Sequence, residues 1–119
     1  MGERMIVVAS DFTRHPGGRY RDDGPFSGEE FRENILWPAI QTAQLTGERL
    51  IILLDGTDGY AASFLEEAFG GLVRHHSIKP KNLSQVMEIR TTDPLYSVYK
   101  GLAEKYIQDA SIMDSRDKN

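Results

Sequence analysis

The sequence predicts an α/β fold, with a mixed central sheet of about four strands packed against three main helices. Three observations carry this. Leu50 to Leu54 form an unbroken apolar run that stops at Asp55-Gly56, as a strand covered on both faces would. Phe64, Leu65, Ala68, Phe69, Leu72 and Val73 then fall on one helical stripe. Strand-like and helix-like segments alternate along the remainder, the pattern of helical crossovers between parallel strands.

Each element has its own signal. Met5 to Ala9 reads as the first strand. The Gly-, Pro-, Asp- and Arg-rich stretch after it reads as a hairpin turning at Pro16-Gly17-Gly18, with Arg19 to Arg21 returning as a short edge strand. Ser27 with Glu30 makes a capping box, and Phe26 is placed to staple onto Phe31, so the first helix starts there. Pro38 lacks an N–H and disfavours helical geometry at Trp37, which predicts a kink. Gly47 ends that helix.

Beyond the buried strand, Ser63 with Glu66 repeats the capping box at the head of the second helix. Gly70-Gly71 inside that helix signals close approach of another element, for which the sheet is the favoured candidate. Lys79-Pro80-Lys81-Asn82 reads as a loop before a strand at Val86 to Arg90. Asp93-Pro94 opens a last helix whose apolar face comprises Leu95, Val98, Tyr99, Leu102, Ala103, Tyr106 and Ile107.

A chain of 119 residues suits one domain, placed at residues 1–110, with 111–119 as a frayed tail where periodicity is lost. The absence of cysteine excludes disulfides, thiolate metal sites and a cysteine nucleophile, and fits a reducing cytoplasm. MGERMIVVAS has too short an apolar run for a membrane span, which needs about 20 residues. A net charge of −4 opposes general capture of nucleic acid. Edge strands and aromatic residues permit a dimer.

Candidate sites each have a structural explanation alongside the functional one. Ser63, at a helix start, would let a phosphate meet free amides and the helix dipole, with Thr57 the weaker acceptor; capping alone also explains Ser63. Asp55, Asp58, Glu66 and Glu67 could gather at the carboxyl end of the central strand, though the aspartates suit the turn itself. Arg14, Arg19 and Arg21, interleaved with Gly17 and Gly18, could bind a phosphate, but Asp22 and Asp23 come directly after. Adjacent His75 and His76 point in different directions and suit a helix end better than a metal, and no metal or cofactor is expected. No Walker, GxGxxG, HExxH or GxSxG motif occurs, so nothing points to an enzyme.

GPFSGEEFR and LIILLDGTDGYAASFLEEAFGGLVR together resemble the STAS-like family of unknown function DUF4325, over about residues 19 to 105. That family is similar to the STAS domains of bacterial anti-sigma factor antagonists. The resemblance implies a STAS-like fold and a regulatory protein-interaction module, whose partner is a GHKL-type ATPase/kinase or a regulator. It also implies a phosphoacceptor at Ser63, where antagonists carry an Asp-Ser-Ser-Gly type turn in place of Tyr60-Ala61-Ala62-Ser63. The partner surface expected on this basis comprises Asp55, Asp58, Tyr60, Ser63, Phe64 and Glu67. Nucleotide or nucleic-acid phosphate binding through Arg14, Arg19 and Arg21 is the alternative.

Overall fold

The computed structural model describes the backbone of residues 2–117 and the side chains of residues 2–111. The sheet has three strands, β1 (Glu3–Val7), β2 (Arg49–Leu53) and β3 (Met87–Arg90), in the order β1-β2-β3 and all parallel. Ile6, Ile52 and Ile89 stand in register, so one face of the sheet presents a continuous apolar row to the core.

Four helical runs cross between the strands or come after them. The first, α1, spans residues 28–46 as Gly28–Phe31, a π turn at Arg32–Leu36, and Trp37–Thr46. The second, α2, spans residues 62–76 with a π turn at Glu66–Gly70. Pro80–Val86 forms α3 and Ser97–Asp117 forms α4. Phe31, Phe64 and Phe69 are fully buried where α1 meets α2, with Phe31 and Phe64 stacked at 6.0 Å between centroids.

Several expectations are corrected. There is no strand at Arg19 to Arg21, so the sheet is parallel and three-stranded where a mixed sheet of about four was expected. The loop bonds elsewhere: Gly28 N donates to Gly18 O at 2.9 Å and Glu29 N to Arg19 O at 3.0 Å, so its carbonyls satisfy the free amides of α1. Lys79 to Asn82 is not a loop but the start of α3, with Pro80 in the first turn, where its missing N–H costs nothing. The irregularity foreseen at Trp37 is the π turn just before it, and Trp37 N donates to Arg32 O.

Ser27 caps α1 as expected, accepting from Glu30 N at 3.0 Å. Glu30 reaches back to Phe26 N, and Phe26 packs edge-on to Phe12, which in turn lies 5.0 Å from Phe31. Ser63 is not a cap. Ala61 holds that position with extended backbone, and Glu66 turns to arginines instead. The neighbours crowding Gly70 and Gly71 are the Tyr106 carbonyl of α4 and the Arg32 side chain of α1, not the sheet. The last helix continues to Asp117, past Ala110, while Lys118 and Asn119 of the expected tail lie outside the described residues.

Candidate functional site

The carboxyl ends of the strands feed three connections: residues 8–27 after β1, 54–61 after β2 and 91–96 after β3. They are tied together by polar contacts. Asp58 N donates to Arg14 O at 2.9 Å, and His15 Nδ1 lies 2.7 Å from Asp58 Oδ2. Asp55 accepts from Thr92 N at 3.0 Å and from the Thr92 hydroxyl. The Tyr96 hydroxyl donates to Thr57 O, and the Tyr60 hydroxyl donates to Leu54 O at 2.7 Å. Burial pushes the Tyr60 phenol well above its ordinary range, so it stays a neutral donor.

Between the second and third connections lies an open cleft of about 230 Å³, lined by Thr57, Asp58, Gly59, Leu95, Tyr96 and Tyr99. Leu95 is 79% exposed and Val98 59% exposed, although their spacing predicts both on the apolar face of the last helix. For Leu95 the reason is geometric. Pro94–Tyr96 is a tighter 3₁₀ turn capped by Asp93, so Leu95 is out of phase with the stripe that begins at Tyr99.

A second polar assembly joins the loop after β1 to both long helices. Arg32 Nη1 donates to Glu67 Oε2 at 2.5 Å and to the Glu67 carbonyl at 2.8 Å, inside the protein. Arg19 Nη1 donates to Glu66 Oε1 at 2.5 Å and Glu67 Oε1 at 3.2 Å, and Arg74 bonds the same two carboxylates. Burial pushes the Glu66 carboxyl up, but hydrogen bonds from Arg74 and Arg19 overcome this and hold it below the ordinary carboxylate range. Glu33 behaves likewise between Arg32 and His76, whose ring stacks on Trp37 at 4.3 Å.

These contacts fix where the residues singled out in the sequence lie. Tyr60, Phe64 and Glu67 are interior, so they do not form part of a partner surface. Ser63 is half-buried at the second position of α2, and Asp58 is exposed. Thr57 is buried, and its hydroxyl accepts from Gly59 N at 3.2 Å. The four carboxylates do not gather: Asp55 serves Thr92, Asp58 serves His15, and only Glu66 and Glu67 share partners. Nor do the arginines. The Arg14 backbone holds Asp58, Arg19 is committed to α2, and Arg21 reaches Asn34 of α1 at 2.8 Å.

Arg32 was missed in the sequence. Its signal is indirect: Glu67 is a charge set among the apolar positions of α2, and Gly71 leaves room for a large side chain between helices. Among the described residues, no group of three or more His, Cys, Asp or Glu could hold a metal, and no helix is long and apolar enough to cross a membrane.

A parallel sheet whose connecting loops gather at the strand carboxyl ends defines an α/β domain of the kind that places its recognition residues on those loops. The chain belongs to the family described as STAS-like domain of unknown function (DUF4325), whose model matches residues 27–96, more than half of its length. The matched segment contains α1, β2, α2, α3 and β3 together with the cleft-forming turn. No curated protein and no solved structure matches the chain.

Proposed function

We propose that this domain is a non-catalytic protein-interaction module of the cytoplasm, whose partner seats on the face formed by Asp58, Leu95, Val98 and the start of α2. The observation that carries this is the exposure of Leu95 and Val98 beside the Thr57 to Tyr99 cleft. Exposed aliphatic side chains at the rim of a polar cleft suit an interface with an apolar centre. By resemblance to anti-sigma factor antagonists, the partner is a GHKL-type ATPase/kinase or a regulator of that kind.

Ser63 is the proposed switch. It is half-exposed at the start of α2, and its side chain is not needed as a cap. A phosphate there adds about −1.5 to −2 charges one turn before Glu66, and so competes with that carboxylate for Arg19. Burial makes Thr57 the poorer acceptor. The alternative reading, phosphate binding by the arginine loop, loses support because Arg19 and Arg21 are already engaged.

The test places a photo-cross-linking amino acid at Leu95 in the native host, with a control at Leu45, which is 89% exposed on α1. A discrete cross-linked protein from the Leu95 position alone supports the face, and mass spectrometry of the same material reads phosphate on Ser63. Identical cross-linking patterns from both positions, or none from either, would sink the proposal.

A further inference from the structure

We infer that the cleft between α3, β3 and α4 binds a free α-amino acid with an apolar side chain, its carboxylate held by Lys100 and its ammonium by Glu104. The cleft has a volume of about 420 Å³, within the range of small-ligand sites. Its floor is apolar: Leu83 from α3, Met87 and Ile89 from β3 and Ile107 from α4 line it, each buried in the fold. Lys100, Glu104 and Ile107 recur at helical spacing, so one face of α4 sets a cation and a carboxylate beside that floor.

The charges around the cleft differ in how far they are committed. Arg49 lies 3.7 Å from Glu88 and donates to the Ser84 and Gln85 carbonyls, and Glu88 also accepts from Arg90 at 2.9 Å. Among the described residues, neither Lys100 nor Glu104 has an ion pair or a side-chain hydrogen bond, although Lys105 of the same helix pairs with Asp109 at 3.0 Å. The Arg90 hydrogen bond holds the Glu88 carboxyl below the ordinary range and Lys100 adds to this without touching it, so the Lys100 charge is directed at the cleft. The free pair then selects the ligand. A lone anion is attracted by Lys100 and repelled by Glu104, and a lone cation the reverse. A free α-amino acid carries both charges on one carbon, matched to two side chains one helical turn apart, whereas a peptide bond removes one of them. Its own side chain is left to cover Leu83, Met87 and Ile107.

The test is an NMR titration of the isotope-labelled full chain with L-leucine, glycine, L-leucinamide and N-acetyl-L-leucine. Leucine should shift the backbone amides of Leu83, Ile89 and Ile107 and saturate at about millimolar concentration or below. Glycine lacks the side chain, leucinamide the carboxylate and N-acetyl-leucine the ammonium, so each should bind about tenfold more weakly or worse. Lys100→Gln and Glu104→Gln should each weaken leucine about fivefold or more, while Lys105→Gln leaves it unchanged. No shift up to the solubility of leucine overturns the inference. So do shifts confined to residues outside the cleft, leucinamide or N-acetyl-leucine binding as well as leucine, or full binding by both the Lys100 and Glu104 variants.

Discussion

The Arg32 guanidinium and the Glu67 carboxylate meet at 2.5 Å with both side chains almost wholly withdrawn from solvent, each from a π turn of a different helix. Removing Glu67 leaves the buried Arg32 guanidinium with only the half-exposed Glu33 as a carboxylate partner, and removing Arg32 leaves Glu67 with the longer bonds from Arg19 and Arg74, whereas replacing both removes the buried pair together. Glu67→Leu is expected to cost about 3–5 kcal/mol in urea unfolding. The double variant Arg32→Met with Glu67→Leu should regain most of that. Simple addition of the two single losses would contradict the coupling.

Two glycines in helices should respond oppositely to alanine. A Cβ on Gly28 would strike the Phe64 carbonyl and lie 3.2 Å from Ala68 N, both backbone atoms that cannot yield without moving α2. Gly28→Ala should therefore destabilise by about 1–3 kcal/mol. At Gly101 nothing lies within 4 Å of the added carbon, and Gly101→Ala in α4 should stabilise by about 0.4–1 kcal/mol. Thermal or urea melts of both variants decide the point, and equal effects would contradict it.

The two serines preceding Glu30 and Glu66 should also part company. Ser27 caps α1 and is buried, so Ser27→Ala should cost about 0.5–2 kcal/mol. Ser63 lies two residues past the true cap Ala61, and Ser63→Ala should stay within about 0.5 kcal/mol of wild type. A large loss at Ser63 would restore the capping box there.

Acid should weaken the fold through Glu66 and Glu33. Both are held below the ordinary carboxylate range despite their burial, Glu66 by Arg74 and Arg19, Glu33 by Arg32 and His76. The unfolded chain, titrating at about 4.3, then binds protons before the folded one does as pH falls. The stabilisation is full above that pH and is lost as pH falls through the folded value. Urea midpoints tracked downward from about pH 7 should show a shallower acid limb for Glu66→Gln than for wild type.

The local chemistry of single segments is legible in the residues themselves. The apolar run of β2, the Ser27 cap and the Asp93-Pro94 start all lie where the residues put them. What failed were inferences needing a partner distant in sequence. Arg19 to Arg21 has a strand-like pattern, but its backbone is claimed by the α1 amides. Ser63-x-x-Glu66 matches a cap by spacing, yet Arg19 and Arg74 claim the glutamate. The partner-facing set failed at Tyr60, Phe64 and Glu67 for the same reason, since which side of α2 is covered depends on α1 and α4.

The π turns within α1 and α2 give the chain an unusual intolerance. A π turn contains one residue more than the α-helical spacing requires, so the helix beyond it is rotated by about 100° against an uninterrupted one. Phe31 and Leu36 flank one such turn and Phe64 and Phe69 span the other, all fully buried. Deleting a single codon within residues 32–36 would swing Ala39, Ile40 and Ala43 away from the core while leaving every surface loop intact. A compensating deletion within residues 66–70 would not repair it, because that change rotates a different helix. Gene length within these two segments is thus constrained in a way that the exposed connections are not.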